Sequence, residues 1–462
     1  MARRLRRAAT MTSSSGLAAG TPRWLDHRVL ALLVALVTIV AFLPTLSNRF
    51  VNWDDLKNLV DNPHYRGLSL AELRWMITTR HMGHYIPLTW ITLGLDYLVW
   101  GMNPAGYHLT NLLLHAATAL ALYFLAVRLY RLALPAGSSE TDLRVGAMAA
   151  AILWAVHPLR VESVAWITER RDVLTGIFYV TAALAYVKAV SFEDARGGGP
   201  DRRWYWASVA LFTAGLLSKS ITVTLPAALL VLDVYPLRRL GGARGWRRRR
   251  VWLEKVPFFA LAAAGSLVAF AALIPLGNAA SLGQLGLLQR GVLAVYGLGF
   301  YLWKTLVPLD LSPLYPLNIQ VTWLHFGFLI AASILAVAMA RRWPAFTVVC
   351  IVYTITLFPV LGFFHNGPQA VADRYSYLAS LGWALLAGAA VAWRWAGTRV
   401  LRAVAAVWLC ALGFLTWQQA QVWHDSITLW TQAMVVHPDS RAAHFNLGGA
   451  YEGEARYAEA LA

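Results

Sequence analysis

The chain has 462 residues, 58% of them hydrophobic and only 14% charged, with a mean hydropathy of +0.52. That balance excludes an ordinary soluble globular enzyme and points to an all-α, polytopic membrane protein. The formal net charge of +17 would suit a nucleic-acid binder, but the arginines gather in short connections between apolar runs, the pattern of positive-inside topology rather than of a basic binding face.

Arg3, Arg4, Arg6 and Arg7 put the N-terminus in the cytoplasm. The first apolar run, 29–47, is too long for a signal-peptide core and has no convincing small-residue cleavage site, so it reads as a retained first helix. Ten further runs follow, near 107–127, 144–156, 173–190, 204–217, 221–236, 256–275, 323–340, 344–364, 376–395 and 399–419, for about eleven crossings. The basic connections at Arg128/Arg131, Arg202/Arg203, Arg244 with Arg247 to Arg250, Arg341/Arg342 and Arg394/Arg399/Arg402 all fall on the cytoplasmic side only if 285–307 does not cross. Gln289–Val307 is therefore read as a helix along the outer surface, and the C-terminus lies outside. The cytoplasmic connections, such as 193–203, read as topology determinants and little else. Cys350 and Cys410 both lie inside apolar runs, which leaves no disulfide framework and no Cys-based metal motif.

With this topology the outer face carries the polar segments 48–106, 157–172, 276–322 and 365–375, plus the turn at 218–220. The first holds Asp54 and Asp55, an acidic pair where a membrane helix meets water; an ordinary solvated loop start is the plain alternative. It also holds His81, His84 and Tyr85, the two histidines sharing one face if the stretch is helical. A metal site would need ligands that no local spacing supplies, so hydrogen bonding to a sugar or phosphate is preferred there.

The segment 157–172 reads His-Pro-Leu-Arg-Val-Glu-Ser-Val-Ala-Trp-Ile-Thr-Glu-Arg-Arg-Asp and contains His157, Arg160, Glu162, Glu169, Arg170 and Arg171. As a helix it puts Arg160, Ser163 and Ile167 on one face and Glu162, Trp166, Glu169 and Arg170 on another. Two readings stay open: a solvated, salt-bridged helix, or guanidinium groups set to bind a phosphate bidentately. Lys219, in an otherwise apolar stretch, is either functional or a snorkelling cation. Asp373, Arg374 and Tyr375 open the later run at 376–395, where a cation beside tyrosines suits a lipid phosphate and also an interfacial aromatic belt.

Beyond about residue 420 the apolar spans give way to a mixed helical pattern. Trp430, Ala433, Pro438, Leu447-Gly448, Tyr451 and Ala460 follow the spacing of a tetratricopeptide repeat. The expected division is a transmembrane domain at 1–420 and the start of a repeat domain at 421–462, ending partway through a repeat.

The ordered set of Asp-Asp after the first span, His-Pro-Leu-Arg-Val-Glu-Ser-Val-Ala-Trp before Glu-Arg-Arg-Asp, Ser-Lys before Thr-Leu-Pro, Asp-Arg-Tyr-Ser-Tyr-Leu and the repeat-like tail resembles bacterial membrane proteins of the transmembrane-and-tetratricopeptide-repeat family. Their animal counterparts are protein O-mannosyltransferases. The resemblance implies a GT-C type glycosyltransferase that takes a sugar, mannose or another hexose, from a polyprenyl-phosphate donor. It delivers it, with inversion, to a Ser/Thr hydroxyl on the extracytoplasmic side of a bacterial inner membrane. Asp54 would be the base and Asp55 its acidic neighbour, although this chain has Asp-Asp where protein O-mannosyltransferases have Asp-Glu, and Lys219-Ser220 where bacterial members often have Lys-Pro.

Phosphate ligands would come from Arg160, Arg170, Lys219 and Arg374, and the repeats would bind the protein acceptor or a partner. No cofactor is firmly implied; a divalent cation stays open beside the lipid-linked donor. The rival readings are a polyprenyl-linked transporter or flippase, which predicts charges at mid-span and symmetry between halves, and a membrane-anchored tetratricopeptide scaffold, which leaves the charged outer loops unexplained.

Overall fold

The computed structural model describes residues 26–135, 137–191, 199–273, 286–317, 323–363, 369–394 and 399–461. The N-terminal arginines, and parts of the 193–203, 276–322 and 365–375 segments, lie outside the described residues.

The architecture is helical. The main elements are α1 His27–Phe42, α2 Leu70–Thr78, α3 Pro87–Trp100, α4 Pro104–Ala133, α5 Glu140–Ala155, α6 Arg170–Ser191, α7 Arg202–Leu216 and α8 Leu225–Val234. They continue as α9 Val256–Leu273, α10 Leu287–Leu306, α11 Trp323–Met339, α12 Pro344–Leu357, α13 Leu381–Arg394, α14 Arg399–Val422, α15 Ser426–Val436 and α16 Arg441–Gly453. Among the described residues the sheet is one antiparallel pair, β1 Tyr315–Pro316 with β2 Gln369–Val371.

Local signals set the helix starts. Asn103 caps α4 by accepting from Ala105 N, with Pro104 at the first position where its missing N–H costs nothing. Ser139 caps α5 and Asp201 caps α7 in the same way.

All eleven apolar runs fall on helices, but among the described residues only five helical stretches are long and apolar enough to span: His27–Ser47, Pro104–Ala133, Ile167–Ser191, Arg249–Leu273 and Ala403–Val422. Asp373–Ala379 with Leu381–Trp393, bent by 53°, makes a sixth if it is one span. Others are shorter, α5 at 16 residues and α7 at 15, and both carry charges in their first turns, Glu140, Asp142 and Arg144 in α5 and Arg202 and Arg203 in α7. The 20-residue α10 is also not among the candidate spans.

The core centres on α4 and α6, with α1 and α5 against α4, and α7 against α6. Leu122, Tyr123 and Tyr130 of α4 meet Ala147, Ala151 and Trp154 of α5 and Tyr179, Ala183 and Tyr186 of α6 in one buried cluster. α13 packs on α5 through two glycines: a Cβ on Gly388 would stand 2.4 Å from the Gly146 carbonyl oxygen, so only hydrogen lets the backbones approach this closely. Outward faces stay apolar, with Leu32, Val40, Leu267, Phe270, Val337, Val404 and Val407 exposed, as a lipid solvent requires.

One expectation is corrected at the end of α6 away from the acidic pair. The connection after α8 is more than a topology determinant: Asp233 takes Arg239 at 3.1 Å and Lys255 at 2.6 Å, Arg239 also reaches Glu254 at 2.6 Å, and Tyr186 of α6 donates to Asp233. Arg247 to Arg250, read as topology signals, stay exposed, whereas Asp233, Arg239, Glu254 and Lys255 are buried because each has a partner of opposite charge.

Beyond α14 the chain forms α15 and α16, packed against each other and followed by the short helix Tyr457–Ala460. Asp425 and Thr428 form a capping box at the start of α15.

Candidate active site

α1 runs into a 3-10 turn, Leu43–Ser47, where Pro44 removes a helical donor, and the chain then extends toward the acidic pair. The two carboxylates of that pair have different surroundings. Asp55 is buried at 1% exposure and accepts from Val51 N at 3.2 Å, from Thr168 N at 3.0 Å and from Thr168 Oγ1 at 2.7 Å. Burial pushes its carboxyl up to about 7, against the opposing pull of those hydrogen bonds. Asp54 is half-buried and its carboxylate makes no hydrogen bond among the described residues. Burial raises its pKa too, while the cations Arg171 and Arg374 nearby favour the charged form.

The segment 157–172 is buried along its whole length, which removes the solvated-helix reading. Nor is it one helix. It runs as a 3-10 turn at Pro158–Arg160, a helical turn at Val161–Ala165, a break at Trp166 with φ −91° and ψ 115°, and a second 3-10 turn at Ile167–Glu169 that enters α6. Of the second expected face, Glu162, Trp166 and Glu169 do come together, around Arg374, despite the break; Arg170 does not join them. Glu162 and Glu169 turn toward Arg374, whereas Arg170 turns away from them into the core.

Glu169, fully buried, is the hub. It pairs with Arg171 at 2.6 Å, Lys219 at 2.8 Å and Arg374 at 3.2 Å. Lys219 also reaches Asp172 at 2.6 Å, and Asp172 accepts from Ser163 at 3.1 Å. Glu162 pairs with the Arg374 guanidinium and accepts from Arg374 N at 2.7 Å. Arg374 is further held over the rings of Trp166 and Tyr375, 5.3 and 5.0 Å from their centroids. Arg171, Lys219 and Arg374 thus converge from three places in the sequence on one buried carboxylate beside Asp54.

The remaining candidates are placed differently. Arg170 is committed to Asp96 at 2.5 Å, to Asn111 and to the Tyr107 carbonyl at 2.9 Å, all on α3 and α4. It therefore leaves the pool of phosphate ligands, because Nε and Nη2 are bonded to α3 and α4, away from the crevice, and Nη1 is buried without a hydrogen-bond partner among the described residues. Arg160 donates to Ser376 at 2.8 Å and lies over Tyr377; its Nε and Nη1 are buried without a hydrogen-bond partner among the described residues. His157 accepts from Leu159 N at 3.3 Å and bonds the Thr305 carbonyl at 3.1 Å, a capping arrangement, and burial lowers its pKa to about 3. Asp373 accepts from Tyr315 at 3.0 Å, and Gln369 donates to the Tyr375 hydroxyl at 3.3 Å.

His81 and His84 sit on a 3-10 turn closed by left-handed backbone at Met82, φ 48°, and Gly83, φ 76°. Both line a narrow crevice, about 10 Å³ in volume, with Asn58, Leu59, Trp90, Thr168 and Arg171. Burial, with Arg171 and Lys219 nearby, holds the His84 ring down to about 3, so it is neutral at physiological pH and offers one donor and one acceptor. His81 bonds the Lys57 carbonyl at 3.3 Å between the rings of Trp75 and Trp90. Tyr85, next to them, is half-buried with no side-chain hydrogen bond among the described residues. No group of three His, Cys, Asp or Glu among the described residues is placed to hold a metal ion.

Residues that sequence reasoning passed over complete the site: Thr168 and Asn58 beside the acidic pair, Asp172 beside Lys219, and Asp96 opposite Arg170. Asp96 had a signal, as the lone carboxylate in the apolar run of α3. Asn58 and Thr168 had none.

Fold and site together define a class: a helical membrane protein with a buried ionic centre beside an acidic loop. No protein-family model matches the chain. Among curated proteins it is similar to "Protein O-mannosyl-transferase Tmtc3" of Drosophila melanogaster, 24% identical over 455 residues, covering 82% of this chain and 47% of that protein. It is also similar to "Protein O-mannosyl-transferase TMTC4" of Homo sapiens, 30% identical over 216 residues, covering 44% of this chain and 29% of that protein. The resemblance carried by the ordered motifs therefore extends along the sequence, to relatives named protein O-mannosyl-transferases. The chain spans about half the length of the fly relative, 47%. Among solved structures, an oligosaccharyltransferase of Archaeoglobus fulgidus in the apo form aligns with a TM-score of 0.46 and 14% identity, covering 92% of this chain and 60% of that one.

Proposed function

We propose that this chain is a GT-C type membrane glycosyltransferase that moves a hexose, mannose first among candidates, from a polyprenyl-phosphate carrier to a Ser or Thr hydroxyl of a protein. The observation that carries the reading is the asymmetry of the acidic pair. Asp55 is fully engaged by Val51 and Thr168, whereas Asp54, near the cations Arg171 and Arg374, makes no side-chain hydrogen bond among the described residues.

In this mechanism the acceptor oxygen attacks the anomeric carbon as the bond from that carbon to the phosphate oxygen breaks. Asp54 takes the hydroxyl proton, and the polyprenyl phosphate leaves with the electron pair. A single displacement of this kind inverts the anomeric centre and needs one base and no enzyme nucleophile. Arg171, Lys219 and Arg374 offset the charge on the departing phosphate from a low-dielectric site, where fixed charges act strongly. His84, neutral, and Asn58 supply hydrogen bonds to a sugar presented at the mouth of the narrow crevice they line. The repeat-like helices would engage the acceptor, with the site and those helices on the extracytoplasmic face.

The test is transfer of labelled mannose from a polyprenyl-phosphate donor to a Ser/Thr peptide by the purified chain in nanodiscs. Product formation that disappears in Asp54→Asn supports the reading. Uptake or flipping of the donor without transfer would favour the transporter instead.

A further inference from the structure

The loop that carries Asp54 is built jointly with the C-terminal helices. Asn52, two residues before Asp54, spends every polar group it has toward that side except its carbonyl. Its backbone N–H donates to Ser426 Oγ at 2.8 Å, its Nδ2 donates to the Asn446 carbonyl at 2.9 Å, and its Oδ1 accepts from Trp430 Nε1 at 2.6 Å. Ser426 and Trp430 belong to α15 and Asn446 to α16, so Asn52 is satisfied only when both helices are in place. Upstream, Arg49 N donates to the His424 carbonyl at 2.7 Å and Asn48 Nδ2 to the Ala420 carbonyl at 3.1 Å. Trp53 stands edge-on to Trp430, centroids 4.9 Å apart, with Trp166 on its other side at 6.2 Å.

We infer that Asn52 is a positioning residue for Asp54, and that α15 and α16 are a working part of the active centre rather than a module tethered to it. The inference rests on the reading of Asp54 as the base. The geometry explains why such a part is needed. Asp54 has no side-chain hydrogen bond to fix it among the described residues, so its place depends on its neighbours in the chain. On one side Asp55 is pinned to Thr168; on the other, Asn52 and Trp53 are pinned to the C-terminal pair. Few backbone torsions separate the two anchors, and releasing one gives the carboxylate room to leave the geometry in which it meets an acceptor hydroxyl.

The test compares the full chain with Asn52→Ala and with Trp430→Phe, which keeps an aromatic ring against Trp53 but removes the N–H that Asn52 accepts. Phe445→Ala, at an 82% exposed position of α16, is the control. Hydrogen exchange of the backbone at 50–56 is expected to accelerate about tenfold or more in both variants and not in the control. With a polyprenyl-phosphate mannose donor, kcat is expected to fall about tenfold or more while donor KM stays within about twofold.

Unchanged protection at 50–56 in a folded variant would overturn the inference, as would lost protection with kcat intact, or a loss confined to donor KM. If Asn52→Ala does not fold, Trp430→Phe decides. Should the parent transfer no sugar at all, the enzymatic reading fails, and the exchange result still shows whether the C-terminal pair fixes the loop.

Discussion

Asp55 and Thr168, 113 positions apart, are joined twice: the carboxylate accepts from both the backbone N–H and the hydroxyl of Thr168. This contact fastens the loop after the first membrane helix to the turn that enters α6, and it separates the functions of two adjacent, chemically identical carboxylates.

Asp54→Asn is expected to lower sugar transfer by ~10²–10⁴-fold, the usual loss for a positioned general base. Its thermal unfolding should match the parent, since the carboxylate it replaces makes no hydrogen bond among the described residues. Asp55→Asn should differ in its effect on folding, destabilising the protein by about 1–3 kcal/mol, because its amide turns a donor toward the N–H groups of Val51 or Thr168. Transfer rates and unfolding midpoints of the two variants side by side check this, and equal losses of stability would contradict it.

The raised Asp55 carboxyl also makes a pH prediction. Its pKa goes from 3.8 to about 7 on folding, so between those values the native protein binds more protons than the unfolded chain. Stability contributed by this group is therefore present below the unfolded value and is lost as pH rises through the folded one. His84 and His157, lowered from 6.5 to about 3, act in the opposite direction as pH falls. Subtracting the Asp55→Asn curve from the parent curve cancels the histidines. The difference should decline from about pH 4 to pH 7, and a flat difference would rule out the buried, proton-binding carboxyl.

Much of this site follows from local chemistry that a sequence displays. An acidic pair after an apolar run, a lysine inside another and Asp-Arg-Tyr at the mouth of a third are each unusual near a membrane, and Lys219 and Arg374 do meet at Glu169. The pairing within 157–172 was hidden because the backbone breaks at Trp166 and α6 starts afresh at Arg170, where successive side chains point about 100° apart, sending Arg170 to Asp96 and leaving Arg171 in the crevice. Helical periodicity cannot foresee a break that tertiary packing imposes. The clamp of Asn52 by Ser426 and Trp430 spans 374 and 378 positions, and no local pattern encodes contacts at that range.

Lys219→Met is expected to destabilise the protein by about 3–5 kcal/mol, since it leaves Asp172 with the Ser163 hydroxyl and without its close cation, and removes one of three cations from Glu169. Adding Asp172→Asn should recover a good part of that loss by removing the stranded charge. A double-mutant cycle on unfolding free energies measures the coupling, and strict additivity would show that Lys219 and Asp172 do not depend on each other.

Topology gives a check independent of activity. Asn52 contacts Ser426, so the acidic loop and the C-terminal helices lie on the same side of any bilayer. In a background with Cys350 and Cys410 replaced, Phe445→Cys should react with a membrane-impermeant thiol reagent from the extracytoplasmic side. Trp246→Cys, beside the exposed run Arg247 to Arg250, should react only from the cytoplasmic side. Labelling of both positions from one side would overturn the assignment.

Arg170 and Arg171 offer the sharpest contrast, being adjacent, both buried and of one chemistry. Arg170→Met should act on folding alone: it leaves Asp96 with Thr110 at 2.7 Å as its remaining hydrogen-bond partner among the described residues and strips donors from Asn111 and Tyr107. Breaking a buried pair in this way costs about 3–5 kcal/mol, and the companion change Asp96→Asn should restore part of it. Arg171→Met removes a cation that lines the crevice and lies in the field of Asp54, while Glu169 keeps Lys219 and Arg374. Its expected effect is weaker binding of a polyprenyl-phosphate donor together with slower turnover, because a phosphate contact exists before departure and strengthens during it. It should also shift the acid limb of the rate profile upward, since Arg171 helps keep Asp54 ionised. Donor affinity and pH–rate profiles of the folded variants separate the two roles. An Arg170→Met/Asp96→Asn protein that folds but no longer binds donor would return Arg170 to the site.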